Sequence, residues 1–167
     1  PGVIERDEQA KFPAEQVRRM GELGFLGMMV SPEYGGSGLD TVSYVLAMEE
    51  ICKVDASCGV IMSVNNSLVC WGLEQFGTEE QKQTYLTRLA TGEIIGAFCL
   101  SEPEAGSDAT SQHTTAQDMG DHYLLNGTKN WITNGSSASV YLVMAQTDPE
   151  KKHRGIKCLL VETDTPG

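Results

Sequence analysis

The spacing of apolar residues changes character after Glu93, and that change constrains the fold more than any other feature of the chain. Before it, apolar residues recur every three or four positions, the period of a helix packed on one side. After it they alternate, and no helical segment follows. Strands that follow one another without intervening helices cannot build parallel βαβ units, so an antiparallel sandwich or barrel is expected. The expected class is therefore α+β, with a helical domain over 1–93 and a β domain over 94–167.

The helical half divides at its breakers. Residues 12–23 read as a helix, with Pro13 suited to a first-turn position and Gly24 able to end it. Residues 25–30 suit a short strand or turn. Asp40 is a candidate N-cap for a helix to Val54 whose apolar residues spread widely around it, so it should be largely buried. Residues 57–75 form a further long apolar helix ending near Gly77, with Met62, Leu68 and Trp71 expected in the core. Thr78 and Gln81 make a capping box that starts a helix over 79–90, closed by Gly92. Two features invite functional readings that fail. Tyr34-Gly35-Gly36-Ser37-Gly38 follows no strand-to-helix unit and is not a dinucleotide loop. Glu49 and Glu50, adjacent on a helix, point about 100° apart and cannot work as an acid pair.

The β half holds the chemistry. Residues 94–100 read as a buried strand that breaks into the polar loop 101–109. Pro103 cannot donate to a ladder and Gly106 can take positive φ, so the backbone leaves the sheet there. Free N–H groups in such a loop favour anionic oxygens. Further strands are expected over 114–117, 122–125, 139–146 and 156–162, with Asn126-Gly127 as a hairpin signal and a charged, exposed loop over 148–155. In a strand through Trp131 and Thr133, alternation puts both side chains on one face. An indole beside a hydroxyl can cover a flat heteroaromatic ring and hydrogen-bond to its edge.

Leu100-Ser101-Glu102-Pro103-x-x-Gly106-Ser107-Asp108, followed by Asn126-Gly127-x-Lys129-x-Trp131-Ile132-Thr133-Asn134, resembles the paired signature of the acyl-CoA dehydrogenases. The likeness extends upstream, where Met48-Glu49-Glu50-Ile51 and the segment 59–68 look most like the short-chain (butyryl-CoA) members. It implies FAD as cofactor, an acyl-CoA substrate oxidised to trans-2-enoyl-CoA, and electron-transfer flavoprotein as electron acceptor. It also implies a homotetramer and, for eukaryotic members, the mitochondrial matrix. By the same resemblance Phe98, Leu100, Ser101, Gly106, Ser107, Trp131, Ile132 and Thr133 bind the cofactor. Ser107 also reaches substrate. The family's usual base, a glutamate in a following helical domain, matches no residue here. The chain then reads as the N-terminal and middle part of the enzyme, inactive alone, with no catalytic residue of its own. Glu102 and Asp108 are expected to cap and orient the loop rather than to take part in catalysis. Glu104-Ala105 departs from the short-chain pattern, which leaves acyl-length preference open. An acyl-CoA oxidase and a non-catalytic flavin or CoA-binding relative are the rival readings.

Composition removes other classes. A formal charge of −11 argues against nucleic acid, which requires clustered Lys and Arg. No run approaches the roughly 18 apolar residues expected of a transmembrane segment. The five cysteines are widely spaced without a C-x-x-C pair, so reduced, buried thiols and no metal site are expected. No Gly-x-Ser-x-Gly elbow is present. The start at Pro1 reads as a mature or trimmed fragment, so a targeting peptide cannot be read.

Overall fold

A computed structural model describes residues 2–167. Among the described residues five helices precede the sheet: α1 (Val3–Glu8), α2 (Ala14–Glu22), α3 (Thr41–Cys52), α4 (Ala56–Phe76) and α5 (79–91). Helix α1 adds an element to those expected from the sequence, and of the two alternatives for 25–30 the chain takes a 3₁₀ turn at 25–27. Caps set the helix starts. Asp40 accepts the Ser43 N–H at 2.8 Å, and Asp55 accepts the Cys58 N–H at 3.1 Å. Thr78 and Gln81 exchange both bonds of the capping box, and Gly92 ends α5 in the left-handed conformation. Helix α4 widens into π-turns over Val64–Cys70, an arrangement often found near functional sites.

The strands are β1 (Gly96–Cys99), β2 (Thr115–Asp118), β3 (Tyr123–Asn126), β4 (Val140–Gln146) and β5 (Ile156–Glu162). They form one open, mixed sheet, which corrects the expected antiparallel barrel or sandwich. β4 pairs β5 antiparallel along its full length. On its other edge β4 runs parallel to β1, from Gly96↔Val140 to Cys99↔Val143, and meets β2 in parallel at Thr115↔Gln146. The antiparallel rule holds for sequential neighbours: β2–β3 and β4–β5 obey it. β1 and β4 are not sequential. The loop and the β2–β3 hairpin between them give the chain length enough to return in the same direction.

Helices α4 and α5 cover one face of the sheet. Val69, Cys70, Leu73, Leu86 and Leu89 pack there on Val140 and Leu142, with Phe98 and Leu160 at the margin. The strand sits so close to α4 that a Cβ on Gly96 would lie 2.5 Å from the Val69 side chain, which only glycine avoids. A second cluster joins α2, α3 and α4 through Val17, Met20, Tyr44 and Met62. Ala97, Cys99 and Ala138 form a third on the opposite face of the sheet, with Ile132 and Tyr141 packed against them.

Several expectations change here. Helix α3 buries only Tyr44; Val42 and Leu46 are 69% and 58% exposed. Its apolar residues encircle it, and α4 covers one side only. Leu68 and Trp71 on α4 are likewise exposed rather than core. By length and composition α4 could cross a membrane, yet half of its apolar window is buried within the fold. The turn between β2 and β3 lies at 118–122, between the strands expected over 114–117 and 122–125, and there the Met119 N–H donates to the His122 carbonyl at 2.9 Å; Asn126-Gly127, the expected hairpin signal, joins no pair of strands. All five cysteines are free, but Cys52 and Cys158 are exposed.

Candidate functional site

The two polar motifs of the β half lie side by side, fastened by one buried charge cluster. After β1 the chain turns tightly over 102–105. The Glu102 N–H donates to the Ala105 carbonyl at 3.0 Å and the Ala105 N–H donates back at 3.2 Å, with Pro103 preset for the turn. The turn sends the Glu102 side chain inward, where its carboxylate accepts the His113 N–H, the Thr114 N–H at 3.0 Å and Lys129 Nζ at 2.7 Å. Lys129 Nζ also donates to the Leu100 carbonyl at 3.0 Å and to Gln112 Oε1 at 2.9 Å. The Asn130 N–H donates to the Ser101 carbonyl at 2.9 Å, and Asn134 Nδ2 to the Gly96 carbonyl at 3.0 Å. Segment 129–134 is thereby laced along β1 and its exit.

Burial alone would push the Glu102 carboxyl up, but the Lys129 ammonium and the Thr114 and His113 donors outweigh it and hold it at about 2. The expected orienting role of Glu102 is what the structure shows. Asp108 does similar work on the surface, accepting from the hydroxyls of Thr110 and Ser111.

Trp131 and Thr133 do not form a strand, which corrects the same-face argument. Trp131 has φ of 59° and Asn134 of 66°, and 132–138 is a series of turns. A left-handed indole residue is uncommon and costs about 1–3 kcal/mol, so it persists only where its surroundings hold it. The result is an indole that is 94% exposed directly beside the Ser101 turn. The next residue, Ile132, packs against the cluster of Ala97, Cys99 and Ala138. Thr133 and Asn134 line a cleft of about 870 Å³ with Phe12, with Asp55, which caps α4, and with Ile61 of α4. Asn134 is buried, and its Oδ1 has no hydrogen-bond partner among the described residues.

The Asn130 N–H bond to Ser101 sets the residue before Trp131 against the exit of β1, and Lys129 ties Leu100 to the same place. Ile132 and Thr133 line the adjoining cleft, which Ser101 does not line. Phe98 is not with them. It faces α4, lining an apolar cavity of about 360 Å³ with Leu68, Trp71, Leu142 and Leu160. Gly106 and Ser107 are exposed on the loop, and Gly106 does not take the positive φ expected of it. Among the described residues no group of three or more His, Cys, Asp or Glu is placed to hold a metal. The buried Lys129–Glu102 pair was missed as a pair, although opposite charges inside two paired motifs were the available signal.

Residues 1–93 match the family model described as acyl-CoA dehydrogenase, N-terminal domain, and residues 97–167 the one described as acyl-CoA dehydrogenase, middle domain. The chain belongs to the acyl-CoA dehydrogenase family. Over all 167 residues it is 50% identical to the human short-chain specific acyl-CoA dehydrogenase, mitochondrial, and covers 40% of that protein. Among solved acyl-CoA dehydrogenase relatives, butyryl-CoA dehydrogenase from Megasphaera elsdenii superposes over the whole chain with a TM-score of 0.94 at 43% identity, covering 45% of that structure. A structure described as an electron transferring flavoprotein of Acidaminococcus fermentans reaches 0.96 at 48% identity over the whole chain and 44% of its own. The chain therefore spans less than half the length of each of these relatives.

Proposed function

We propose that this chain supplies the N-terminal helical part (1–93) and the β part (94–167) of an FAD-dependent short-chain acyl-CoA dehydrogenase. The observation that carries the reading is Trp131, a large aromatic side chain held fully exposed on strained backbone beside a hydroxyl-bearing turn. Such an indole is a preformed cover for a flat ring. The unpartnered Asn134 Oδ1 and the Thr133 hydroxyl in the adjoining cleft fit the polar edge of the same group.

FAD, when bound, accepts the hydride that leaves the β-carbon of an acyl-CoA thioester. This chain's residues bind and orient. Trp131 and Ile132 cover the ring, while Thr133 and Ser101 offer hydroxyls where negative charge grows on reduction. Leu100 completes the wall. Gly106 and Ser107, exposed on the loop, face the phosphates, with Ser107 shared with the CoA of the substrate. Phe98 serves the packing of β1 on α4, which bears on the ring only through the strand. The α-proton passes to a base that none of residues 1–167 supplies. The same reading takes electron-transfer flavoprotein as electron acceptor, a homotetramer as the assembly and the mitochondrial matrix as the compartment.

Two outcomes test it. In the FAD-loaded protein, Trp131→Ala and Thr133→Val each weaken flavin binding by about tenfold, a loss of one ring or edge contact, and shift the visible flavin spectrum. Titration of the apoprotein with FAD checks this, and unchanged affinity and spectrum in both variants sink the assignment. A purified protein of residues 1–167 alone shows no turnover of butyryl-CoA with an artificial electron acceptor; measurable turnover would place the base within this chain.

A further inference from the structure

We infer that Lys129 and Glu102 are positioning residues for the flavin site, a buried clasp that sets the Ser101 turn against the Trp131–Thr133 segment. The inference rests on the flavin reading above and adds what holds its two walls in place.

All three protons of the Lys129 ammonium are used, by the Leu100 carbonyl and the Glu102 carboxylate on one stretch and by the Gln112 carboxamide on another. The side chains of Lys129 and Glu102 are 10% and 3% exposed. Leu100 and Glu102 bracket Ser101, and Lys129 lies two residues before Trp131, so the ammonium fixes both walls from behind. Asn130 adds the direct strap to the Ser101 carbonyl. On the far side Asn134 is anchored to the Gly96 carbonyl. Trp131, strained at φ 59°, is held between these two anchors.

Stability alone is a poor reason for such a pair. Two opposite charges withdrawn from water often contribute no more than well-packed apolar side chains of the same volume. A three-way ammonium contact does set geometry more narrowly than apolar packing. Neither charge needs to touch the ring, because both act through Ser101 and Trp131.

The test is the double substitution Glu102→Gln with Lys129→Met in the FAD-loaded protein, which removes both charges at nearly constant volume. Cooperative unfolding should persist, while flavin affinity falls about tenfold or more and the visible spectrum moves in the same sense as in Trp131→Ala. A folded double variant with wild-type affinity and spectrum overturns the clasp and leaves the flavin reading standing. A wild-type protein that takes up no FAD overturns both. If the double variant does not fold, Gln112→Leu carries the test by removing one acceptor and leaving the pair. A fall in flavin affinity of about threefold then supports the clasp, and none overturns it.

Discussion

Replacing Asn65 with leucine is expected to lower the free energy of unfolding by about 3–5 kcal/mol, although the two side chains are similar in size. Asn65 is wholly buried in the π-turn region of α4. Its Nδ2 donates to the Leu26 carbonyl at 2.9 Å and to the Leu89 carbonyl at 3.1 Å, while its Oδ1 accepts the Gly96 N–H at 3.1 Å. One side chain therefore ties the 25–27 turn, the end of α5 and the first residue of β1 to α4. Leucine removes all three bonds and offers the backbone groups nothing in return; a buried group left unpaired costs about 1–3 kcal/mol. The Leu89 carbonyl keeps the Gly92 N–H at 3.2 Å, which limits the loss. Asn66 gives an internal comparison. It donates to the Phe25 and Met62 carbonyls, but its Oδ1 is already unpartnered. Asn66→Leu should cost clearly less. Urea midpoints at constant m decide the matter, and a loss below about 1 kcal/mol for Asn65→Leu would refute the hub.

Asn65 also shows where sequence reading stops. Two amides in the middle of a 21-residue apolar helix were visible, but their role depends on three carbonyl and amide groups 24 to 39 residues away. Local signals carried well. The capping box at Thr78, the caps at Asp40 and Gly92, the buried run into β1 and the orienting role of Glu102 all follow from chemistry within a few residues. The pairing of β1 with β4 did not, because a parallel register between non-consecutive strands leaves no mark in either strand alone. Alternation over 131–133 suits a strand, but Trp131 and Asn134 take the left-handed conformation, which three residues of alternation do not reveal. For α3, apolar residues on every side suggested burial. Composition cannot distinguish a helix covered all round from one whose outer face this chain leaves open, as at Val42 and Leu46. Ser101 and Thr133 belong to the two motifs; that the motifs lie side by side follows only from the contacts of Lys129 and Asn130.

Lys129→Met is expected to cost about 3–5 kcal/mol at neutral pH, because it strands the Glu102 carboxylate in the interior with its amide donors and no ammonium. Glu102→Gln should cost less, since a carboxamide oxygen still accepts and Lys129 keeps Leu100 and Gln112. The double variant should recover much of the Lys129→Met loss, so the two substitutions are strongly non-additive. The pH dependence has a definite sign. Glu102 is held down from 4.5 to about 2 in the folded protein. Its stabilisation, about 3 kcal/mol for a shift of that size, is complete above the unfolded value and is lost as pH falls from about 4.5 toward 2. In Lys129→Met the carboxyl takes up its proton at higher pH and the stranded charge disappears. The penalty should therefore be largest near pH 7 and shrink as pH falls through the variant's higher folded value toward 2. Urea unfolding of wild type and variant between pH 7 and pH 3 measures it. A penalty that stays flat with pH would mean that Lys129 stabilises the fold by packing its stem and not by opposing the Glu102 charge.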